Sequence, residues 1–226
     1  MIYNHIEKGI FLSRPNRFIA HVMIDGKEEV AHVKNTGRCR ELLIEGAIVY
    51  LQKHENSARK TNWSLICVNK GGRLINIDSQ APNKVFYEWL VRGNLLKDME
   101  LIKPEFKYGD SRVDFYVKTL TDKVLIEVKG ATLEEGNIAM FPDAPTVRGV
   151  KHIYELCKSM DEGYKAYIVF VIQMKGVQCF IPNEKTHKEF ADALRFAKDK
   201  GVEVLALDCE VGKDFLEIWG EVEVVV

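Results

Sequence analysis

Ser111-Arg112-Val113-Asp114-Phe115-Tyr116-Val117-Lys118, Thr119-Leu120-Thr121-Asp122 and Lys123-Val124-Leu125-Ile126-Glu127-Val128-Lys129-Gly130 form one continuous stretch. Two strand-like runs flank a four-residue turn, the pattern of a β-hairpin. If Lys118 pairs with Lys123, then Val113, Phe115 and Val117 lie opposite Val128, Ile126 and Val124. That side is wholly apolar. On the other side Asp114 faces Glu127 and Arg112 faces Lys129, and the register that buries the six apolar residues is the one that sets the two carboxylates face to face.

Directly opposed carboxylates, with Cβ atoms about 5 Å apart, repel unless a cation, a shared proton or solvent lies between them. A divalent ion such as Mg²⁺ resolves the conflict, because it takes carboxylate and phosphate oxygens together and can activate a water. Lys129, two residues beyond Glu127, points to the same face. Read as chemistry, Asp114, Glu127 and Lys129 form a phosphodiesterase site. Read as structure alone, they are charges on a solvated hairpin face, and the periodicity leaves both readings open.

Outward from the hairpin, the C-terminal part reads as α/β with a mixed sheet. A helix over Lys84 to Met99, capped by Asn83, precedes a strand over Ile102 to Tyr108. After the hairpin come a helix over Val147 to Met160, a strand over Ala166 to Met174, a helix over Lys188 to Lys200 and a strand over Val202 to Leu207. Glu217 to Val226 is a possible last edge strand. Up to about residue 80 the period is two, with strands over Arg17 to Ile24, Glu28 to Val33, Ala47 to Gln52, Asn62 to Val68 and Arg73 to Ile77, and a short helix over Arg38 to Leu43. Asp25-Gly26 supplies a hairpin turn. These elements suit a small OB-fold-like β-barrel. The chain therefore divides at Ala81-Pro82-Asn83 into a barrel domain, 1–81, and an α/β domain, 82–226.

With 226 residues, 46% of them hydrophobic, the chain has apolar material for such domains. Its 32 Lys plus Arg against 33 Asp plus Glu give a net charge of -1, and so no global basicity. The partial net charges are +4 for 1–82, +1 for 83–200 and -6 for 201–226. Lys34-Asn35-Thr36-Gly37-Arg38-Cys39-Arg40 clusters cations, to which Arg14, Arg17, Arg59 and Lys60 add, and a nucleic-acid surface is expected there. Phe18, Tyr50 and Trp63 are read as core rather than as base-stacking platforms. Five widely spaced cysteines suggest neither disulfides nor zinc. No run of about 18 apolar residues or secretory signal is present, so a cytoplasmic protein without a membrane partner is expected. No P-loop, G-x-G-x-x-G or H-E-x-x-H occurs.

Tyr108-Gly109, Ser111-Arg112-x-Asp114-Phe115, Glu127-Val128-Lys129, Phe141-Pro142-Asp143-Ala144, Thr146, Arg148-Gly149, Lys151-His152 and Glu155-Leu156, together with Arg14, Asn16-Arg17-Phe18, Asn35-Thr36-Gly37-Arg38 and Arg59-Lys60-Thr61, resemble the sugar fermentation stimulation protein A (SfsA) family over nearly the whole chain. The resemblance implies an N-terminal OB-fold domain, a C-terminal PD-(D/E)XK restriction-endonuclease-like domain, and DNA binding. It carries Asp114, Glu127 and Lys129 over as catalytic residues, and Glu88 as a third acidic residue beside the metal. Val113 replaces the family's usual proline, Val33-Lys34 stand in place of Cys-Pro, and Asn183 to His187 lack a late Asp-Pro pair.

The expected function is DNA binding, with DNA favoured over RNA, and Mg²⁺- or Mn²⁺-dependent phosphodiester hydrolysis. Asp114, Glu127 and the Val128 carbonyl would hold the metal and Lys129 would polarise the water. Arg14, Arg17, Lys34, Asn35, Arg38, Arg40, Arg112, Arg148 and His152 would contact nucleic acid, with Thr146 capping the helix that carries Arg148 and His152. Lys151 is read as a solvated charge, and Gln173 either as reaching the active edge or as marking a strand's end. The alternative is a non-enzymatic DNA-binding regulator of sugar metabolism on a nuclease scaffold. A carbohydrate-binding module has little support in these residues.

Overall fold

The computed structural model describes residues 1–35, 37–55 and 60–226, so Thr36 and Arg59 of the expected basic surface lie outside the described residues. The first strands are β1 (Ile6–Asn16), β2 (Ile19–Ile24), β3 (Lys27–Val33), β4 (Ile48–Lys53), β5 (Trp63–Lys70) and β6 (Arg73–Asn76). They are ordered β3-β2-β1-β4-β5-β6, and a parallel pairing of β3 with β5 closes the first five into a barrel. The Asp25-Gly26 turn has φ values of 48° and 77°, as the hairpin reading requires.

Two barrel expectations are corrected. β1 was not foreseen, because Gly9 and Pro15 interrupt its alternation and its pairing with β2 carries register shifts. Gly9 lets the strands approach closely there, since a Cβ would stand 2.9 Å from Leu51 Cδ1 and 3.0 Å from the Met23 carbonyl oxygen. Arg38 to Leu43 is a turn rather than a helix, with the Leu42 and Leu43 N–H groups both donating to the Cys39 carbonyl.

Helix α1 (Ala81–Val91) follows, and then β7 (Met99–Tyr108), β8 (Ser111–Thr119), β9 (Lys123–Ala131), β10 (Leu133–Glu135), β11 (Ile138–Phe141), α2 (Val147–Asp161), β12 (Lys165–Ile172), β13 (Cys179–Pro182), α3 (Lys188–Asp199), β14 (Glu203–Val211) and β15 (Leu216–Val224). The sheet order is β10-β11-β13-β15-β14-β12-β9-β8-β7, with β9, β12 and β14 mutually parallel and the β7-β8-β9 meander antiparallel. This is the α/β mixed sheet expected after the barrel. β15 is not an edge strand, because it lies between β14 and β13 and buries Leu216 and Ile218. α1 begins and ends earlier than the sequence spacing implied. Pro82 occupies its first turn, Gln80 is the N-cap without a side-chain bond, and Gly93 at φ 75° follows its end.

One apolar core lies between α1 and the sheet, built from Phe86, Leu90, Phe115, Ile126, Val169 and Val171. On the opposite face α2 and α3 cover Leu125, Phe170 and Phe180 with Ile153, Leu156 and Phe190. The barrel joins this second domain by backbone as well as side chains: the Asn76 N–H donates to the Gln173 carbonyl at 2.9 Å. Fully buried Asp78 accepts from Lys34 Nζ within the barrel domain at 2.9 Å, its carbonyl accepts from Gln173 Nε2 at 3.1 Å, and Glu134 takes Lys70 and Arg73 of the barrel. Among the described residues no helix is long and apolar enough to cross a membrane.

Phe170 is fully buried, stacked on Phe180 at 4.0 Å between centroids and flanked by Phe141 and Phe190. Phe170→Ala should lower the free energy of unfolding by about 3–5 kcal/mol, read from denaturant midpoints.

Candidate active site

The hairpin pairs as its alternation demands, from Lys118↔Lys123 to Phe115↔Ile126. There the ladder ends, one pair short of Asp114 and Glu127. Asp114 itself takes over the hydrogen bonding: its Oδ2 accepts the Val128 N–H at 2.7 Å and its Oδ1 accepts Asn83 Nδ2 of α1 at 2.7 Å. Both oxygens are thereby oriented.

Glu127 is 3% exposed. Its Oε1 accepts Lys129 Nζ and also His152 Nδ1, the latter at 2.5 Å, whereas its Oε2 is buried with no protein partner. Arg148 Nε donates to His152 Nε2 at 3.2 Å. These two contacts assign the imidazole proton to Nδ1 and make a chain from Arg148 through His152 to Glu127. Thr146 caps α2 as expected, its hydroxyl accepting the Gly149 N–H at 3.0 Å, and so places Arg148 and His152 over the carboxylates.

The two carboxyl groups differ in their electrostatics. Burial, then the Glu127 charge, push Asp114 up to about 6, against the opposing pull of the Val128 N–H, Lys129 and Asn83. Burial would also raise Glu127, but the bonds from His152 and Lys129 together outweigh it and hold that carboxyl below its ordinary value.

Asp114, Glu127, Lys129, Arg148 and His152 thus form one cluster. His152, expected to contact nucleic acid, has its Nδ1 on Glu127. Arg112, Arg148 and His152 line an open cleft of about 590 Å³ with Lys107, Lys151 and the acidic Glu105 and Asp110, and Lys151 pairs with Glu155. Glu88 is not in the cluster: its carboxylate is 2.7 Å from the Met1 ammonium, on the side of α1 that faces the start of β15. Among the described residues no group of three or more His, Cys, Asp or Glu is placed to hold a metal. The donor set on offer is two carboxylates, one of them with an orphaned buried oxygen, and such hard oxygen ligands fit a hard divalent cation.

The barrel residues divide similarly. Arg14, Arg17, Arg38 and Arg40 line a second cleft, of about 400 Å³. Lys34 instead pairs with Asp78, and the Asn35 side chain accepts the Gly37 N–H at 2.7 Å. That loop meets the second domain at Gly37, where a Cβ would stand 2.2 Å from Asp143 Oδ2. Gln173 is buried at the junction, donating to Asn76 Oδ1 and the Asp78 carbonyl. Of the three aromatics read as core, Trp63 is buried and Tyr50 half-buried, but Phe18 is exposed. Asn83 was missed as a site residue because it was read as the helix cap. Pro82, favoured in a helix's first turn, was the signal that the helix starts earlier and carries Asn83 inside it.

A closed barrel followed by a mixed-sheet α/β domain with a two-carboxylate, one-lysine centre defines an OB-fold protein with a restriction-endonuclease-like second domain. The family described as "SfsA N-terminal OB domain" matches residues 12–77, and "Sugar fermentation stimulation protein RE domain" matches residues 80–215. The chain belongs to the sugar fermentation stimulation protein family. It is 63% identical to a sugar fermentation stimulation protein homolog of Ruminiclostridium cellulolyticum, covering 99% of each chain, and 60% identical to that of Clostridium beijerinckii, covering 100% of each. Among solved structures it resembles Pyrococcus furiosus SfsA in complex with Ca²⁺, with a TM-score of 0.90, 34% identity, and coverage of 100% of this chain and 98% of that one.

In metal-free protein the Asp114 carboxyl should titrate near pH 6, and Glu127→Gln should lower that value, as read by carbon NMR of the side-chain carboxyls. Because the folded value exceeds the ordinary 3.8, the fold binds this proton more tightly than the unfolded chain does. The stabilisation from Asp114 is therefore complete below about pH 4 and is lost as the pH rises through 6, an effect of up to about 3 kcal/mol.

Proposed function

We propose that the protein binds nucleic acid, DNA in preference to RNA, and hydrolyses phosphodiester bonds with Mg²⁺ or Mn²⁺. The observation that carries this reading is the buried Glu127 carboxylate, with one oxygen engaged by Lys129 and His152 and the other buried without a protein partner, its charge felt by Asp114. Asp114 and Glu127 would hold the cation, with the Val128 carbonyl as a further oxygen donor. When bound, Mg²⁺ or Mn²⁺ supplies neutralisation of phosphate charge and a more acidic water. The Pyrococcus furiosus relative, solved in complex with Ca²⁺, supports a divalent cation as a ligand in this family.

The chain's own residues then have distinct tasks. Asn83 and the Val128 N–H fix the rotamer of Asp114, and His152 fixes that of Glu127. Arg148 and Arg112, which line the same cleft, would grip phosphate oxygens. Lys129 carries a positive charge next to the carboxylates, where it stabilises the negative charge that develops as water attacks phosphorus and the P–O bond to the leaving oxygen breaks. Hard charges oriented in this way before substrate arrives cost little reorganisation during the reaction.

Incubating labelled DNA or RNA with the protein and Mg²⁺ or Mn²⁺ tests the reading. Cleavage by the wild type is expected, greater on DNA than on RNA, with a loss of about 100-fold or more in both Asp114→Ala and Lys129→Ala. Activity that is absent, or that survives both substitutions, would overturn the assignment. Metal-independent binding without product would instead support a DNA-binding regulator on a nuclease scaffold.

A further inference from the structure

Arg14, Arg17, Arg38 and Arg40 line the barrel cleft with no carboxylate among the lining residues, over a floor that includes Phe11 and Leu43. Two chain segments make this cleft, the second half of β1 with the turn that follows it, and the loop after β3. Arg14 joins them. Its Nη2 donates to the carbonyls of Arg17 at 2.8 Å and Asn35 at 2.7 Å, and its Nη1 to those of Gly37 at 2.9 Å and Arg38 at 2.7 Å. With its terminal donors on carbonyls, Arg14 builds the cleft, while Arg17, Arg38 and Arg40 are exposed on it.

Phe18 stands at the tip of the β1-β2 turn, 47% exposed. This is not a frayed tip. Asn16 Oδ1 accepts the N–H groups of Phe18 at 2.9 Å and Ile19 at 3.1 Å, and the Val33 N–H donates to the Phe18 carbonyl at 2.8 Å. The ring is therefore presented on a fixed backbone, with the Arg17 guanidinium 5.3 Å from its centroid. A single exposed aromatic is ordinary on a protein surface. What distinguishes this one is its contact with Arg17, which lines the cleft together with the exposed Arg38 and Arg40 and the apolar Phe11 and Leu43.

That combination suits a ligand with regularly spaced anions and flat apolar faces. Guanidinium groups meet phosphates, and an exposed ring offers a stacking partner to any base. In a duplex each base face is covered by the next base pair, so the ring has a partner only where bases are unpaired. We infer that the barrel cleft is a single-strand binding site, in which Phe18 stacks on an unpaired base while Arg17, Arg38 and Arg40 contact the phosphates. This rests on the reading of the chain as a nucleic-acid-binding protein, and not on cleavage at Asp114 and Glu127.

The test is fluorescence anisotropy in EDTA, with a labelled 15-nucleotide single strand of DNA and the matching duplex at the same salt concentration. The single strand should bind at least about tenfold more tightly than the duplex. Phe18→Ala should weaken the single strand by at least about fivefold and leave the duplex unchanged, and Phe18→Trp should retain wild-type affinity. Arg38→Ala and Arg40→Ala should each reduce the slope of log affinity against log salt by about 0.7. The melting temperature of Phe18→Ala should stay close to that of the wild type, because the ring is about half solvated and lies outside the barrel core. Equal or tighter duplex binding, or a Phe18→Ala variant with unchanged single-strand affinity, would overturn the inference and leave the broader nucleic-acid reading intact. No binding to either probe would remove both.

Discussion

The burial of the Glu127 carboxylate is the constraint around which the second domain is arranged. An ionised carboxylate taken out of water is costly unless charges and hydrogen bonds replace the solvent, and removing one partner of such a group typically costs about 3–5 kcal/mol. Lys129 from the same strand and His152 from α2 supply that replacement on one oxygen, and Arg148 secures His152 in turn. Each partner requires a particular packing: the parallel β9-β12 pair, α2 laid over it, and Thr146 setting where α2 begins. The second oxygen receives nothing from the protein. One oxygen is thus doubly engaged while its buried twin is without a protein partner.

The barrel is tied to this centre rather than merely tethered. Asn76, Asp78 and Lys34 of the first domain interlock with Gln173, which lies beside Gly130 at the end of β9. A Cβ at Gly130 would come within 2.6 Å of Pro82 Cγ and 2.7 Å of Gln173 Oε1, so the strand immediately beyond Lys129 is pressed against both α1 and the junction. On the other flank, Gly37 admits the barrel loop to Asp143. The loop that carries Arg38 and the strand that carries Glu127 and Lys129 are thereby both packed at the junction between the two domains.

Much of the candidate site was legible from residues 111–130. Alternation alone placed Asp114, Glu127 and Lys129 on one face, because burying six apolar side chains leaves the strands a single acceptable register. The same reasoning could not foresee that the ladder stops at Phe115. A backbone N–H released from pairing and captured by a carboxylate leaves no trace in a pattern of hydrophobicity. Glu88 shows the opposite failure. A family pattern put an acidic residue on the preceding helix, but five residues beyond Asn83 it lies on another side of α1, and the Met1 ammonium takes it. Lys34 likewise looked like a surface cation until Asp78 was found buried beneath it.

Local pattern by itself determined the hairpin register, the Asp25-Gly26 turn, the Thr146 cap, the change from barrel to α/β near Ala81, and which charged residues share the hairpin's polar face. These depend on backbone geometry and on periodicity over a few residues, which neighbouring side chains encode directly. Only the tertiary structure decided which cations stay exposed and which are used internally, that Asn83 orients Asp114, that His152 serves Glu127, and that Phe18 faces solvent. Those outcomes turn on partners distant in sequence. The burial that makes a lone charge or an open carboxylate oxygen meaningful exists only after both domains have packed.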